Sequence, residues 1–379
     1  MGNIKKVLIV GGGIAGLTAA IALRRRGIES VVIERNPAWS VYGVGIIQPS
    51  NMLRALASIG LGERCLASGR GFNGWRFCEA NGAVLAEAAA FNVAGPAYPA
   101  VNGITRPALH KILTDSVLGQ GTEVRLGITI ETLHDSGDKV DVIFSNGAPE
   151  SFDLVIGADG AYSQLRGLLF KDAVRPQYTG QSVWRYNFPR PEGFDWGCMY
   201  FGKRSKAGLV PLTESMMYLF LVTAEQGNPR MPGDQLGSLL RERMSEYGGL
   251  IAELRELVTD SSAVVYRPME VMLLPQPWHR GRVLLIGDAA HSSTPHLAEG
   301  AAMAIEDSAV LADMLGANAD IEATLQAFWE RRAPRAQLVY ETGVQLGEWE
   351  QAEWRGEPAA GAAYNEAFDK AYQVLGEPV

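Results

Sequence analysis

The chain has 379 residues, of which 47% are hydrophobic, and its formal net charge is −8. This apolar fraction supports a large core and excludes global disorder, while the acidic balance without a long basic run argues against a nucleic-acid partner. The three cysteines lack the spacing of metal ligands, and their number is odd. This favours a reducing cytoplasm over a disulfide framework.

The first 34 residues predict a strand, a helix and a second strand. Residues 5–10 are short and apolar, residues 14–26 are rich in Ala and Leu, and residues 30–34 are again apolar. A leader peptide is the alternative for this stretch, but three consecutive glycines interrupt it. No other segment reaches the ~20 apolar residues of a membrane span. We therefore predict a βαβ unit with parallel strands and a right-handed crossover.

A glycine motif lies between the first predicted strand and the helix. Gly11, Gly13 and Gly16 form G-x-G-x-x-G, which permits a tight turn, backbone approach to a pyrophosphate and close helix packing. Glu34 ends the second strand, where its carboxylate can accept from ribose hydroxyls. A glycine-rich turn without ligand is the alternative. A second match at residues 69–74 precedes a strand and is interpreted as a loop, so the chain has one dinucleotide cradle.

The rest of the chain divides into an interrupted α/β domain and a strand-rich insertion. We predict an α/β fold with a Rossmann-like domain, interrupted by a mostly antiparallel sheet domain and followed by a helical C-terminus. The first domain comprises residues 1–75, 101–175 and 268–345, the second 76–100 and 176–267, and the tail 346–379. The remaining predicted elements are helices at 51–60, 107–118, 234–258, 300–315 and 320–354 (broken near Pro334), and strands at 139–144, 153–157, 182–188 and 215–222.

Two more acidic turns follow buried strands. Asp159 lies at the carboxyl end of the strand in the run 153–160, and Asp288 follows Gly287 after another apolar strand. Open α/β sheets place ligands at the carboxyl ends of their strands, and the helix beginning near Gly300 presents a partial positive charge there. An ordinary Asp-Gly turn is the alternative for Asp159, and strand–helix packing without cofactor is the alternative for the later segment. One extended ligand of the shape of FAD explains both ends of the chain.

These motifs resemble the group A flavoprotein aromatic hydroxylases, which include para-hydroxybenzoate, salicylate, 6-hydroxynicotinate and urate hydroxylases. The opening GGGIAG, the GADG of residues 157–160 and the GDAAH of residues 287–291 occur in the family's order over nearly the full length. The resemblance implies a glutathione-reductase-type FAD-binding domain. The motifs and the resemblance together predict cofactor contacts at Gly11, Gly13, Ile14, Ala15, Gly16, Glu34, Arg35, Gly45, Ile46, Arg106, Ile130, Asp159, Gly287, Asp288, Pro295, Gly300, Ala301 and Ala302.

The family also implies a reaction. NAD(P)H reduces FAD, O₂ adds at flavin C4a, and the hydroperoxide transfers a hydroxyl group to an electron-rich aromatic ring. The segment around Asp159 is associated in the family with both FAD and NAD(P)H, which fits the single cradle. Two positions depart from relatives. Glu299 stands where many relatives have Gln or another residue, and its carboxylate would oppose the negative charge of reduced flavin unless it is protonated or turned away. Ile47 stands where some pyridine-acid hydroxylases have a histidine that contacts the substrate.

Four side chains are candidates for contact with the substrate. His296 follows Pro295 in the flavin loop and is the first candidate for a base, with a structural histidine as the alternative. Tyr218 and Lys206 are indicated by similarity to urate hydroxylase, although Tyr218 is also compatible with a core position. Arg185, between Trp184 and Tyr186, can clamp a carboxylate, or can face solvent.

The sequence therefore predicts an FAD-dependent, NAD(P)H-consuming monooxygenase of a small hydroxylated aromatic or N-heteroaromatic acid. It would be cytoplasmic, monomeric or homodimeric, with no metal, nucleic-acid or membrane partner. A flavin oxidase or dehydrogenase that inserts no oxygen, and a non-catalytic flavin-binding redox sensor, remain the alternatives.

Overall fold

The computed structural model describes residues 4–170, 174–317 and 320–379. Twenty strands lie in this part of the chain. In chain order they are β1 (Lys6–Val10), β2 (Glu29–Glu34), β3 (Gly45–Pro49), β4 (Arg70–Phe72), β5 (Gly74–Glu79), β6 (Val84–Ala89), β7 (Val101–Thr105), β8 (Glu123–Leu126), β9 (Ile130–Asp135), β10 (Val140–Phe144), β11 (Pro149–Phe152), β12 (Leu154–Gly157), β13 (Gln177–Pro189), β14 (Gly197–Phe201), β15 (Ser205–Pro211), β16 (Met216–Ala224), β17 (Val265–Leu273), β18 (His279–Arg280), β19 (Val283–Leu285) and β20 (His291–Ser292).

Ten α-helices accompany these strands in the described ranges. They are α1 (Ile14–Arg25), α2 (Ser50–Ser58), α3 (Gly62–Ala67), α4 (Arg106–Gly119), α5 (Gln164–Leu169), α6 (Leu236–Arg243), α7 (Gly249–Glu256), α8 (Gly300–Ala317), α9 (Ile321–Trp354) and α10 (Ala362–Gly376).

A six-stranded sheet forms the first layer, in the order β18-β19-β12-β1-β2-β8. All neighbouring strands in it are parallel except β18, which runs antiparallel to β19. Side chains on β1 and β2 such as Leu8, Ile9 and Val32 are fully buried, as expected for a parallel sheet covered on both faces. The parallel pairing of β1 and β2 around α1 confirms the predicted βαβ unit.

An eight-stranded, mostly antiparallel sheet forms the second layer, in the order β20-β17-β13-β16-β15-β14-β5-β6. Alternate side chains point to opposite faces. One face carries Trp184, Leu219 and Leu221, which are buried in a hydrophobic cluster with residues of α6 and α7. The other face is free of these helices. Together the two sheets confirm the predicted mixed α/β fold.

The C-terminal region is helical, as predicted, but α9 contains no break at Pro334. The helix runs without interruption from Ile321 to Trp354. A proline inside a helix costs about 3 kcal/mol, and here buried ion pairs of Arg332 and Arg335 with α8 hold the chain on both sides of it. Tertiary contacts thus override the local penalty, and the prediction of a break was wrong.

Two further expectations need correction. Residues 234–258 form α6 and α7 separated by a 3₁₀ turn and a loop, because Tyr247 and Gly248 are extended. Residues 69–74, expected as a loop, include the short strand β4. The division into domains stays a prediction, and its boundary at 345/346 falls inside α9. None of the described helices is both long and apolar enough to cross a membrane.

Candidate active site

A cavity of about 2040 Å³ lies between the two sheets. It reaches from the N-terminus of α1 and the turn after β19, past the N-terminus of α8, to the free face of the eight-stranded sheet. Of the predicted residues, fourteen line this cavity: Gly13, Ile14, Ala15, Gly45, Ile46, Arg106, Arg185, Lys206, Tyr218, Asp288, Pro295, His296, Gly300 and Ala301.

The glycine motif forms a tight turn between β1 and α1. Gly11 has φ of +115°, and a Cβ there would lie 2.3 Å from the Ala158 carbonyl oxygen. A Cβ on Gly16 would lie 1.9 Å from the Gly11 carbonyl oxygen, so only glycine allows the helix to pack this closely. Gly13, just before α1, has open space around its Cβ position. The turn thus exposes the helix N-terminus to the cavity, where an anion would be stabilised.

Glu34 lies beside this turn at the end of β2. Its carboxylate accepts hydrogen bonds from the backbone N–H groups of Gly12 and Asn36, both at 2.8 Å. The Trp39 indole N–H donates to the Gly12 carbonyl oxygen at 2.9 Å. Glu34 is therefore held rigidly next to the cradle, although it does not line the cavity, and its neighbour Arg35 is exposed.

Asp288 faces the cavity from the turn after β19. Within the described ranges no protein group donates a hydrogen bond to its carboxylate, and the nearest charges come from His291 and Arg106. The side chain is accessible to solvent in the cavity but enclosed by protein, and this burial raises its pKa against the opposing effects of His291 and Arg106. A carboxylate without a protein partner at this place can accept hydrogen bonds from a polyol ligand.

A buried ion-pair cluster of Asp307 on α8, Arg332 on α9 and His291 fixes the backbone beside Asp288. Asp307 accepts from the Gly287 N–H at 3.0 Å and contacts His291 Nε2 at 2.7 Å. Arg332 Nε donates to the other Asp307 oxygen at 2.7 Å. Burial raises the pKa of Asp307, but His291 and Arg332 outweigh it and lower that pKa to about 2. His291 is therefore structural, and the cluster positions the turn rather than contacting a ligand.

Glu299, at the end of the loop before α8, is fully buried and does not line the cavity. One carboxyl oxygen accepts from the Asn51 side chain at 2.8 Å, and the other has no hydrogen-bond partner. Burial and the neighbouring Glu306 raise its pKa to about 8. Glu299 is thus neutral at pH 7, which removes the expected repulsion of a reduced flavin.

Replacing Glu299 with Gln should make stability less dependent on pH. The unfolded carboxyl ionises near its ordinary value of 4.5, whereas the folded one keeps its proton up to about pH 8. The wild type therefore loses stability as pH rises between these values, and the neutral Gln does not. We expect the Tm of the variant minus that of the wild type to increase from pH 5 to pH 8 and then to level off. Thermal unfolding at each pH, with the exposed Glu322→Gln as control, measures this. A pH-independent difference would contradict it.

Several predicted contacts lie away from the cavity. Asp159 binds the Ser163 hydroxyl at 2.5 Å and the Leu165 N–H at 3.1 Å, so its carboxylate serves the start of α5. Ile130 is buried in the core on β9, and Ala302 is buried in the first turn of α8. Gly287 packs between α1 and α8. These four residues stay predicted cofactor contacts, and for Asp159 the alternative of an ordinary Asp-Gly turn also stays open.

Arg185 and Tyr218 point from the eight-stranded sheet into the cavity beside Arg106. In the described part of the chain neither guanidinium has a hydrogen bond or an ion pair, and the Tyr218 hydroxyl has no hydrogen-bond partner. Burial lowers the pKa of Arg185 to about 10, with a smaller contribution from Arg106. Burial raises the pKa of Tyr218 to about 12, although both arginines act in the opposite direction. The site thus presents two cations and a neutral phenol to a ligand.

His296 and Lys206 belong to a separate cluster centred on Glu350. His296 contacts Thr294 Oγ1 through Nδ1 at 2.8 Å and Glu350 through Nε2 at 3.0 Å. Lys206 Nζ forms an ion pair with the same carboxylate, to which the Tyr364 hydroxyl donates at 2.9 Å. Both ring nitrogens of His296 are therefore occupied, so the geometry favours the structural alternative over a base in direct contact with substrate.

The charges of this cluster stabilise one another. Burial opposes ionisation, but the pKa of Glu350 is held below its usual range by Lys206 and His296, and the pKa of Lys206 is held above its usual range by Glu350. The sequence did not indicate Glu350 or Tyr364, since both lie in polar helical segments without a motif.

Comparison with known proteins agrees with the motifs. The FAD binding domain family matches residues 5–342. The chain is 31% identical over 376 residues to the putative FAD-dependent monooxygenase YetM of Bacillus subtilis (strain 168), which covers 99% of this chain and 100% of that protein. It is 30% identical over 369 residues to 6-hydroxynicotinate 3-monooxygenase of Pseudomonas fluorescens, covering 89% of this chain and 90% of that protein.

The fold also matches solved structures. Klebsiella pneumoniae HpxO, complexed with FAD and uric acid, aligns with a TM-score of 0.84 at 22% identity, covering 99% of this chain and 97% of that chain. The family match and the two relatives confirm the resemblance stated from the motifs. The chain therefore belongs to the FAD binding domain family and is an FAD-dependent aromatic monooxygenase.

Proposed function

We propose that this monooxygenase uses NAD(P)H and O₂ to hydroxylate an aromatic or N-heteroaromatic acid. The observation that carries the proposal is the Arg185 guanidinium, which faces the cavity without a protein carboxylate within the described ranges. A half-buried cation without a protein partner is available to a ligand, and a guanidinium fork matches a carboxylate. Tyr218 lies beside it and can exchange a hydrogen bond with a ring hydroxyl.

The residues at the other end of the cavity fit FAD. The cradle of Gly11, Gly13 and Gly16 would hold the pyrophosphate, Glu34 would lie near the adenosine ribose, and the unpartnered Asp288 carboxylate would accept from ribityl hydroxyls. The N-terminus of α8 would face the pyrimidine edge of the ring system. Bound FAD supplies the redox chemistry that activates oxygen after reduction by NAD(P)H.

The protein's own groups would orient the substrate and exclude water. Arg185 would bind the carboxylate, and Tyr218, whose raised pKa of about 12 keeps it protonated at neutral pH, would donate to or accept from the substrate hydroxyl without acting as a strong base. His296 and Lys206 would act through Glu350, whose buried ion pairs tie α9 to the sheet and close that side of the cavity. A closed cavity limits loss of the activated oxygen as H₂O₂.

We also propose that the protein is cytoplasmic, because its three cysteines are free and buried. For its oligomeric state we expect a monomer or a homodimer.

The test is product mass after turnover under ¹⁸O₂ with NADH or NADPH over a panel of phenolic and pyridine acids. An ¹⁸O-labelled hydroxyl on an acid supports the proposal. Peroxide with unlabelled product would favour an oxidase or dehydrogenase, and NAD(P)H consumption unchanged by every aromatic compound would favour a redox sensor.

Replacing Asp288 with Ala should weaken FAD binding roughly 10- to 100-fold, because hydrogen bonds to a charged group contribute ~1.5–3 kcal/mol. We expect the fold to persist, since Asp288 bonds no described protein group. Flavin content after gel filtration and the Kd from fluorescence titration measure the effect. Asp313→Ala, at the exposed far end of α8, is the matched control. Full flavin occupancy in the Asp288 variant would contradict the assignment.

A further inference from the structure

One row of side chains crosses the cavity face of the eight-stranded sheet from β13 to β6. Residues opposite one another on adjacent strands point to the same face. Neighbouring strands are ~4.8 Å apart, so the five steps of this row span roughly 24 Å. Pair by pair, the strand register places in this row Arg185, Phe220, Gly208, Met199, Phe77 and Ala86.

The row is charged at one end and apolar over the rest of its length. After Arg185, the ring of Phe220 lies over Gly208, where an added Cβ would be 2.0 Å from the ring. Met199 and Phe77 are half-buried and Ala86 is exposed, and all three line the cavity. We call Met199, Phe77 and Ala86 the apolar arm.

Core packing does not account for the apolar arm. Cys198 and Tyr200, the neighbours of Met199 on β14, point to the opposite face and are buried with residues of α6 and α7. Met199 and Phe77 are turned away from that cluster and toward the cavity. Phe77 is flanked by Phe201, with ring centroids 6.3 Å apart and planes 15° from parallel, and Phe201 is 46% exposed. Apolar surface left open in this way marks a binding surface.

We propose that the substrate is an amphiphilic aromatic acid whose apolar substituent lies along the apolar arm. This inference rests on the proposed function and specifies its substrate class. A single ring held at Arg185 covers only the start of a floor of roughly 24 Å, whereas an alkyl or polycyclic extension would cover Met199 and Phe77 and reach Ala86. The arm and the Arg185 site belong to one continuous cavity, so one molecule fills both.

Binding of benzoate and of 4-alkylbenzoates from methyl to octyl to the FAD-loaded enzyme tests the proposal. Isothermal titration calorimetry without reductant measures Kd, so no turnover is needed. Each added methylene is expected to tighten binding about fourfold until the chain passes the end of the arm. A Kd that stays constant or rises with chain length would overturn the proposal.

Two variants on the edge strand sharpen the test. Ala86→Phe fills the far end of the arm and should abolish the gain for hexyl and octyl chains, while benzoate and the methyl compound bind as before. Leu85→Phe is the control, because Leu85 is 57% exposed and does not line the cavity. An equal loss for all chain lengths, or an effect confined to the KM of NADH or NADPH, would contradict the assignment of the arm to the substrate.

The outcomes separate this inference from the function on which it rests. If benzoate binds and Arg185→Ala weakens that binding, but chain length has no effect, the apolar arm is wrong and the acid site stands. If no member of the series binds, both the acid site and the arm are overturned.

Discussion

Replacing Arg332 with Met is expected to lower the free energy of unfolding by about 3–5 kcal/mol, because it leaves the buried Asp307 carboxylate without its arginine partner. Arg332 is fully buried in α9. Its Nε donates to Asp307 at 2.7 Å, and its Nη1 lies 3.0 Å from Glu306 Oε2. Arg335 also pairs with Glu306, but no second arginine reaches Asp307 among the described residues. The methionine can fill the space but cannot neutralise the charge.

Urea unfolding followed by circular dichroism measures this loss, and the neighbouring Arg331→Met is the control, since Arg331 is exposed. We expect the control to change stability by less than ~0.5 kcal/mol. Because Asp307 also holds the Gly287 N–H, the Arg332 variant should lose flavin more readily even where it remains folded. A loss of stability below ~1 kcal/mol would show that the cluster is not what joins α8 to α9.

The turns at the proposed cofactor end of the molecule were predictable because their determinants are local in sequence. Gly11 and Gly16 are required by contacts within one strand–turn–helix unit, and the spacing of the motif records those contacts. Glu34 ends β2 and Asp288 lies in the turn after β19, and the carboxyl ends of parallel strands meet at one edge of the sheet. The family resemblance added the order of the motifs along the chain.

The proposed substrate end was predictable only in part, because its arrangement depends on long-range contacts. Glu350 meets Lys206 across 144 positions of sequence and meets His296 across 54. Nothing in the polar helical sequence around Glu350 marks it, so the sequence leaves a base and a structural histidine as alternatives for His296, and its occupied ring nitrogens favour the second. The uninterrupted α9 has the same origin, since contacts of Arg332 and Arg335 with α8 outweigh the local effect of Pro334.

Arg185 shows both what the local sequence indicates and what depends on long-range contacts. Strand alternation indicated that it shares no face with Trp184 and Tyr186, but the pattern alone left a carboxylate clamp and a solvent-facing side chain as alternatives. In the structure it is half-buried and lines the cavity next to Arg106, and burial lowers its pKa to about 10. A lone strand pattern cannot distinguish an enclosed cavity from bulk solvent, because the facing wall comes from other segments of the chain.

Replacing Arg185 with Ala is expected to lower kcat/KM for a hydroxybenzoate roughly 10²–10³-fold, since breaking a buried charge pair with a ligand costs ~2–5 kcal/mol. Phenol, which lacks the carboxylate, should change by less than about threefold, and FAD content should stay unchanged. Arg185→Lys keeps the charge but not the two-pronged geometry, so its loss should be intermediate. Equal losses for the acid and for phenol would show that Arg185 is structural.

The pH dependence gives an independent check on the same residue. A cation is needed to bind the carboxylate, so the affinity for benzoate should be maintained below the Arg185 pKa of about 10 and should fall as pH rises through it. Benzoate is used because the hydroxyl of a phenol itself ionises at about pH 10, so the turnover of a phenol would change there whatever Arg185 does. The weaker affinity of Arg185→Ala for benzoate should lack this fall. A fall at about pH 10 that persists in Arg185→Ala would assign the titration to another group and contradict the pH dependence expected of Arg185.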